Sequence, residues 1–343
     1  MRPFPFLHSL ACLVVLACLL YVQAAPAGPE RREITIAVGG QGLFYYLPLA
    51  IAQQRGYFRD AGLEVEIADF PGGSKSLQAV VGGSAQVAAG AFEHVLNMQA
   101  RGQELRAVVL LARYPGMVLA LPPARAEGYR SAADLKGLKV GVTAPGSSTH
   151  MFLNHLLGQA GLAADAVSVI GIGAGASAIA AMRRGDVDAM VHLDPVIQRL
   201  EADGVVRAVV DTRSADGVAA VYGGPYHAAC LYAKADFIAA HPATTQAIVD
   251  AQLRALRWLQ TATPDEIVAS VPPAFLGGEP AAYRAALIKN LPILSPDGRL
   301  DPDGAARVLD ALRGFEPFVR EAEVDPARAL TNDFVGRASA AGE

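Results

Sequence analysis

The length, charge and composition of the chain exclude several classes of protein at the start. Its 343 residues are too many for one ordinary hydrophobic core, so we expect two structural units. The 29 basic and 33 acidic residues give a formal net charge of −4, and no basic stripe runs along the sequence. This balance argues against a nucleic-acid partner.

The first predicted element is an export signal. An apolar run from Leu10 to Val22 follows a basic residue and precedes small residues, as in signal peptides. The run is shorter than the roughly 20 residues of a membrane-spanning helix, and no later stretch is long and apolar enough to span a bilayer. We therefore predict a periplasmic protein that loses residues 1–24 by cleavage after Ala24. Processing as a lipoprotein anchored at Cys18 is the alternative.

From residue 33 onward, short apolar runs alternate with helical patterns, which is typical of strand-helix-strand units with parallel sheets. The first half has predicted strands at 34–38, 65–70, 86–91 and 106–112, and predicted helices at 49–54, 74–81 and 92–100. The second half has predicted strands at 139–144, 167–172, 187–191 and 205–210, and predicted helices at 149–159 and 176–184. A strand at 226–233 and a long helix at 242–261 follow, and the pattern of the remaining residues predicts mostly helix.

The two halves of the chain resemble each other. Segment 77–88 places a helix, a glycine and a strand in the same order as segment 179–190. Solenoid repeats are much shorter than this shift of about 100 residues, so the pattern favours two lobes of like topology. Two such lobes imply a cleft between them.

The cysteines indicate neither a disulfide nor a nucleophile. Cys12 and Cys18 lie in the predicted signal, so cleavage leaves Cys230 alone and no intramolecular disulfide can form. Cys230 lies in an apolar run, which favours a buried structural thiol over a reactive one.

Five segments carry a resemblance to a known family. In chain order they are 47–65, 72–88, 134–142, 185–190 and 236–242, and together they cover most of residues 33–265. None is specific alone, but the ordered set resembles the nitrate, sulfonate, taurine and thiamine-precursor binding proteins of ATP-driven (ABC) importers.

The resemblance implies an α/β fold, the type II two-lobe periplasmic binding protein. Each lobe would be a mainly parallel sheet flanked by helices, with a helical C-terminal tail packed back on the first lobe. The chain would cross between lobes near Leu119–Pro123 and Tyr222–Ala229. Lobe 1 would then comprise 33–120 and 225–343, and lobe 2 would comprise 121–224. The implied partners are a small-molecule ligand and an inner-membrane permease with its ATPase, and the protein itself is expected to be a monomer.

Turns that follow the predicted strands are the candidate ligand site, because ligands of open α/β sheets bind beyond the carboxyl ends of strands. A helix amino end offers unpaired N–H groups and a partial positive charge, which suit a sulfonate or carboxylate. The alternative is that Ser148 or Thr149 only caps its own helix. The candidate residues of these turns are Gln41, Gly73, Ser74, Ser147, Ser148, Thr149 and Ser177.

Aromatic residues and one aspartate complete the candidate site. Tyr45, Phe92 and Tyr226 are candidates to flank an apolar or ring-containing ligand, since such pockets are mostly apolar with a few polar anchors. Asp194 follows a predicted strand and precedes a proline. It is either a helix cap or, if it faces the cleft, a partner for a ligand that carries a donor or a positive charge.

Catalytic signatures are missing from the sequence. It contains no G-x-S-x-G elbow, no H-E-x-x-H helix, no Walker loop and no paired-cysteine metal site. We therefore expect no catalysis, no metal and no cofactor. The predicted function is a binding protein of an ABC importer that captures a small organic anion, a sulfonate or a carboxylate, possibly aromatic, by lobe closure. A thiamine-precursor pyrimidine, or ligand sensing without transport, is the alternative.

Overall fold

A computed structural model describes residues 28–340. These residues form ten strands and a larger number of helices, and seventeen of their glycines have a positive φ. The predicted signal peptide and both predicted processing sites, after Ala24 and at Cys18, lie outside the described residues. In chain order the strands are β1 (Glu33–Val38), β2 (Glu64–Asp69), β3 (Val87–Ala91), β4 (Leu105–Leu110), β5 (Val118–Leu121), β6 (Lys139–Val142), β7 (Ser168–Gly171), β8 (Ala189–His192), β9 (Arg207–Asp211) and β10 (Ala229–Lys234).

The strands form two sheets of five, one in each lobe. The first has the order β2-β1-β3-β10-β4 and the second the order β7-β6-β8-β5-β9. In each sheet one strand runs antiparallel to both neighbours: β10 between β3 and β4, and β5 between β8 and β9. These are the strands by which the chain enters each sheet after crossing from the other lobe. The two-lobe α/β fold predicted from the sequence is confirmed, with mixed rather than wholly parallel sheets.

The first crossover lies earlier than the sequence indicated. β4 ends at Leu110 and β5 begins at Val118, so the chain changes sheets within 111–117, ahead of the predicted Leu119–Pro123. An apolar run such as 117–121 fits the interior of either sheet, and hydrophobic pattern alone does not assign it to one. The second crossover runs through 223–228, within the predicted segment Tyr222–Ala229.

Helices connect the strands and build the tail. Those up to the second crossover are α1 (Leu47–Gln54), α2 (Tyr57–Asp60), α3 (Gly73–Val81), α4 (Phe92–Gln99), α5 (Pro123–Ala126), α6 (Ser148–Gln159), α7 (Ala176–Arg184), α8 (Val196–Ala202) and α9 (Ala215–Tyr222). The later ones are α10 (Ala235–Ala240), α11 (Pro242–Thr261), α12 (Pro264–Ser270), α13 (Pro280–Asn290), α14 (Pro302–Phe315), α15 (Pro317–Glu321) and α16 (Asp333–Ala340). Every helix from α11 to α15 begins with proline, whose fixed φ and missing N–H suit the first helical position.

The tail packs on both lobes, whereas the sequence predicted contact with the first lobe only. Helix α11 lies against α1, α2, α16 and β4 of the first lobe. Helix α13 contacts α8 of the second lobe, and α14 contacts both α4 of the first and α6 of the second. The amphipathic pattern marks which face of a helix is buried, but it does not identify the surface that covers this face.

Both faces of the second sheet are covered. Successive side chains of β5 point to opposite faces. Leu119 and Leu121 join a core that continues into the first lobe, and Val118 and Ala120 join a smaller cluster with Ile172 on the other face. The larger core therefore ties the two lobes together beside the crossovers and leaves the carboxyl ends of the strands as the place where the lobes can bind a ligand.

Candidate functional site

Turns of small residues bring the two lobes into contact at the carboxyl ends of their strands. A Cβ atom added at Gly72 would lie 2.8 Å from the Cβ atom of Ala144, and one added at Gly40 would lie 2.3 Å from that of Ala174. Gly40 also has a φ of +94°, which favours glycine. These close approaches leave no room for side chains, so the lobes are in a closed arrangement.

Serine hydroxyls join the amino ends of α3 and α6 across this contact. The Oγ atom of Ser147 accepts a hydrogen bond from the backbone N–H of Ser74 at 3.0 Å, and the Oγ atom of Ser74 donates to the carbonyl of Pro145 at 2.9 Å. Gly73 is the first residue of α3 and is buried. These three predicted residues are therefore brought together, but the two serines pair with each other across the lobes.

The neighbouring hydroxyls of α6 do not cap that helix. Its N-cap residue is Ser147, whose side chain makes no capping bond. Thr149 is buried, and its Oγ1 atom accepts from the backbone N–H of Thr143 at 3.0 Å and lies 2.8 Å from the Thr143 Oγ1 atom. Ser148 is also buried. The capping role considered for Ser148 and Thr149 is wrong, because Ser147 occupies the N-cap position of α6 and the Thr149 hydroxyl pairs with Thr143 after β6.

An open cavity of about 1040 Å³, which we call the outer cavity, lies between the lobes. Gln41 lines it, together with the first turn of α7 and part of the tail. Ser177 lies beside it, but its Oγ atom donates to the carbonyl of Ile172 at 2.7 Å. The arginines of the outer cavity are paired with carboxylates: Arg183 with Asp203, Arg184 with Asp186, and Arg199 with Asp203 and Glu279.

Glu93 is a buried acid that the sequence did not single out. It lies in the first turn of α4 and is 1% exposed. Its Oε1 atom accepts a hydrogen bond from the hydroxyl of Tyr226 at 3.1 Å, and its Oε2 atom has no partner. Burial raises the pKa of Glu93 to about 7. No basic side chain of the described residues forms an ion pair with it.

Three further buried polar atoms of the described residues also lack a partner: the Tyr45 hydroxyl, the Asn97 Oδ1 atom and the Asn154 Oδ1 atom. Asn97 is one helical turn after Glu93, and its Nδ2 atom contacts the Met151 sulfur of α6 at 3.2 Å. Asn154 is one turn after Met151 on the same face of α6. Each lobe therefore contains a buried polar atom without a partner, and Asn97 joins α4 to α6 through Met151.

Stacked tyrosines border these groups. The rings of Tyr222 and Tyr226 stack with centroids 3.8 Å apart, and Phe152 meets Tyr222 edge to face at 6.3 Å. Burial, and next the nearby Glu93 charge, raise the pKa of Tyr45 and of Tyr222 well above the ordinary value, which places both close to that carboxylate. We call Tyr45, Glu93, Asn97, Tyr222 and Tyr226 the Glu93 cluster.

Two of the predicted aromatic residues, Tyr45 and Tyr226, belong to the Glu93 cluster. Phe92 lies next to it in the chain, is fully buried and packs edge to face on His227 at 5.5 Å. Cys230 is a buried free thiol, and burial raises its pKa, in agreement with the structural role expected for it.

Asp194 is accounted for by contacts within the chain. Its Oδ1 atom accepts from the backbone N–H of Gln198 at 2.7 Å, which is a helix-capping contact for α8. Its Oδ2 atom accepts from Arg213 at 3.0 Å and from the side-chain amide of Asn290 at 2.6 Å. The capping role considered for Asp194 is therefore present, and an ion pair and a link to α13 accompany it.

His94 provides a second polar contact between the lobes. Its Nε2 atom lies 3.4 Å from the carbonyl of Gly146 and its Nδ1 atom 3.3 Å from the Tyr232 hydroxyl. Burial lowers the pKa of His94 to about 4, so the ring is neutral at neutral pH. Glu93 and His94 are adjacent on α4. Glu93 thus faces the polar cluster, and His94 faces the opposite lobe.

Comparison with known proteins assigns a family. The model of the NMT1/THI5 like family matches residues 44–267, which is more than half of the chain. This chain belongs to the NMT1/THI5-like family. The matched segment includes every residue of the Glu93 cluster and all the predicted site residues except Gln41.

Solved structures confirm the periplasmic binding protein fold. A protein of Bordetella bronchiseptica RB50 is 48% identical to this NMT1/THI5-like chain, with a TM-score of 0.88, and the alignment covers 92% of this chain and 99% of that one. The alkanesulfonate-binding protein of Xanthomonas axonopodis pv. citri, solved with MOPS bound, has a TM-score of 0.68 at 20% identity over 88% of this chain and 99% of that one. The second likeness shows the fold alone.

Curated relatives are matched over only part of their length. A protein of Aspergillus parasiticus named 4-amino-5-hydroxymethyl-2-methylpyrimidine phosphate synthase is 28% identical over 167 residues. The match covers 48% of this chain and 46% of that protein, so the chain spans about half the length of this relative. This chain is thus similar over part of its length to a protein named as an enzyme, and similar in fold to a protein named as a binding protein.

Residues 28–340 contain neither a candidate membrane-spanning helix nor a candidate metal site. No helix there is long and apolar enough to cross a membrane. No group of three or more histidine, cysteine, aspartate or glutamate side chains in the same range is placed to hold a metal ion.

The polar residues missed from the sequence, Glu93, Asn97 and Asn154, lie on helices. An acid in the first turn of a helix is a common partner of the helix dipole, so Glu93 looked ordinary. Its burial depends on Tyr226, which follows 133 residues later and meets it only in the folded chain. A weak signal was present, because Glu93 follows the fully apolar strand β3 directly.

Proposed function

We propose that this protein is an exported solute-binding protein of an ABC importer. It captures a small organic molecule between its two lobes in the periplasm and delivers it, as a monomer, to an inner-membrane permease with its ATPase. The fold supports this proposal, and so do the names of fold relatives such as the alkanesulfonate-binding protein.

One observation carries the proposal more than any other. Buried polar atoms without partners occur in both lobes: on Tyr45, Glu93 and Asn97 in the first lobe and on Asn154 in the second, and Asn97 contacts Met151 of the second lobe. Unpaired buried polar groups are costly, and native proteins place them where something else satisfies them. A ligand that reaches both lobes would pair these atoms and favour the closed form, because only a ligand that binds this form more tightly shifts the equilibrium toward it.

The chemistry of the ligand has two candidates, an organic anion and a neutral heterocycle such as a thiamine-precursor pyrimidine. The amino ends of α3 and α6 favour an anion in principle. In the closed form, however, Ser74 and Ser147 already pair across these ends. The pyrimidine candidate draws support from the name of the Aspergillus relative, within the limits of a partial match.

Ligand binding is tested by thermal denaturation of the mature chain, residues 25–343. The panel contains alkyl and aryl sulfonates, aromatic carboxylates, nitrate and aminopyrimidines. A ligand that binds only the folded state raises the melting temperature. At concentrations above the dissociation constant, the rise grows with the logarithm of the ratio of ligand concentration to dissociation constant. We expect a saturable rise for one chemical class and unchanged ligand by mass spectrometry after incubation. A chemically converted ligand would contradict the proposal and favour an enzyme.

Transport is separated from sensing by uptake in cells. Cells that lack the gene are expected to lose accumulation of the identified ligand, because a permease of this kind receives its substrate from the binding protein. Normal accumulation together with a lost transcriptional or motile response would assign the protein to sensing.

A further inference from the structure

The outer cavity is bordered by three parts of the chain: the first lobe, the second lobe and the tail. Its volume of about 1040 Å³ lies close to the upper end of the roughly 300–1,000 Å³ that sites for small organic molecules occupy. No residue of the Glu93 cluster contributes to its wall. The cavity is therefore a second place at which this protein can hold a molecule.

Apolar side chains from all three parts form much of the cavity wall. Phe70 comes from the first lobe and Ile179 from the second, and both are half-buried. Phe275 comes from the tail, and its ring packs on the turn at Gly42, where an added Cβ atom would lie 3.7 Å from it. Such a wall favours a ligand with an apolar surface to bury.

The charged side chains of the wall already have partners. Its three arginines pair with carboxylates, among them Glu279 of the wall itself. The remaining acid, Asp69, accepts hydrogen bonds at its Oδ1 atom from the backbone N–H groups of Gly40 at 2.9 Å and of Gln41 at 3.0 Å. An ionic ligand would therefore have to displace one of these partners or stay without a counter-charge, which is unfavourable when the ligand is buried.

Two neutral polar side chains of the wall remain free to bind a ligand. Tyr283 is 3% exposed and packs edge to face on Phe44 at 4.8 Å, but its hydroxyl has no hydrogen-bond partner within residues 28–340. The side-chain amide of Gln41 has none in the same range. Burial raises the pKa of Tyr283, so the hydroxyl keeps its proton and can donate. A nearly buried hydroxyl of this kind is normally paired.

The tail is fixed to the second lobe beside the cavity, so the wall is already formed in the closed arrangement. The Nζ atom of Lys289 on α13 donates to the side-chain oxygen of Gln198 on α8 at 2.6 Å. Glu279, at the start of α13, pairs with Arg199 of α8. Sites for small molecules are usually formed in advance in this way.

We infer that the outer cavity is a binding site for an uncharged organic molecule with a bulky apolar ring system or chain and a hydroxyl, carbonyl or amide group. The apolar part packs on Phe70, Ile179 and Phe275. The polar group pairs with the Tyr283 hydroxyl and the Gln41 amide. This inference goes beyond the proposed function, because the site is separate from the Glu93 cluster and does not depend on transport.

The experiment compares three probes of one shape and different charge by isothermal titration of the mature chain, residues 25–343, at pH 7. The probes are 2-naphthamide, which is neutral, 2-naphthoate, which is an anion, and 2-naphthamidine, which is a cation. We expect 2-naphthamide to bind with a stoichiometry of one. We expect its affinity to exceed that of either charged probe by about tenfold or more, because a buried charge without a partner is costly.

Two variants locate the bound probe. Ala180→Trp fills the cavity from α7 and should abolish binding of 2-naphthamide, and Ala219→Trp is its matched control, since Ala219 is an exposed helical residue on α9 outside the cavity. Tyr283→Phe keeps the ring on Phe44 and removes the hydroxyl. It should weaken 2-naphthamide by about 3- to 10-fold, the range of one neutral hydrogen bond. Circular dichroism verifies that the variants fold.

The outcomes separate this inference from the proposed function. Tighter binding of a charged probe than of 2-naphthamide would overturn the ligand class. Equal binding of 2-naphthamide by Ala180→Trp and the parent protein would overturn the site. No binding of 2-naphthamide would overturn the inference as a whole. None of these results affects the proposed function, which fails instead if cells that lack the gene keep both normal uptake and normal responses.

Discussion

The ion pair between Asp194 and Arg213 leads to a quantitative stability prediction. Both side chains are nearly inaccessible, at 0% and 9% exposure, and Asp194 also accepts bonds from Gln198 and Asn290. Replacement of Asp194 by alanine removes three hydrogen bonds and leaves Arg213 without its most buried partner. Breaking a buried pair from one side costs about 3–5 kcal/mol.

The structure places the expected value near the lower end of that range. Arg213 keeps two other carboxylates, Asp211 at 2.6 Å and Glu201 at 3.4 Å, and Asp211 is partly exposed. We therefore expect Asp194→Ala to lower the free energy of unfolding by about 3 kcal/mol. For a chain of this length the melting temperature should fall by about 5 °C, because the entropy of unfolding grows with chain length.

Calorimetry of the unliganded protein at neutral pH measures this change, with Asp186→Ala as the control. Asp186 pairs with Arg184 at the surface, where both side chains are well exposed, so its loss should cost about 1 kcal/mol or less. Equal melting temperatures for the two variants would refute the assignment of Asp194 as a structural residue. Equal melting temperatures would instead favour the ligand-contact role that the sequence suggested for Asp194.

Two further predictions concern the contact between the lobes. In the unliganded protein Glu93 binds its proton more tightly than in the unfolded chain, because burial raises its pKa to about 7 from an ordinary 4.5. The free energy of unfolding therefore falls as pH rises from about 4.5 to 7. Glu93→Gln should be about 3 kcal/mol more stable than the parent protein at pH 8, and equally stable near pH 4. Parallel curves of stability against pH for the two proteins would contradict this. The double change of Ser74 and Ser147 to alanine removes three interlobe hydrogen bonds of about 1 kcal/mol each. Small-angle scattering should therefore show a larger radius of gyration for the unliganded variant. An unchanged radius would mean that the larger core alone holds the lobes together.

The sequence predicted the elements of this fold well because each depends on local pattern. The strand at 139–144 and the helix at 176–184 were expected from alternation and spacing, and they are present as β6 and α7. The small-residue turns were expected from glycine and serine content. Gly40 and Gly72 then proved to be points where the lobes touch.

The sequence was less informative wherever a contact joins distant parts of the chain. The apolar run that became β5 has no local feature that selects the second sheet. The Oγ atom of Ser147 has the position of a helix cap, but its partner is the N–H of Ser74, 73 residues earlier. Likewise the link from Asp194 to Asn290 on α13 spans 96 residues, so a local reading recovered the cap and missed the link.

The first turns of α4 lie at the contact between the two lobes. Glu93 points to Tyr226 and the unpaired oxygens, and His94, the next residue, meets the carbonyl of Gly146 on the other lobe. Asn97 on the next turn contacts Met151 of α6. The turn that carries the buried carboxyl group is therefore also the turn that touches the second lobe. None of these residues lines the outer cavity, so a molecule confined to that cavity contacts neither Glu93 nor His94. If the protein closes on a ligand as proposed, only a ligand that binds the closed form more tightly than the open one shifts this contact.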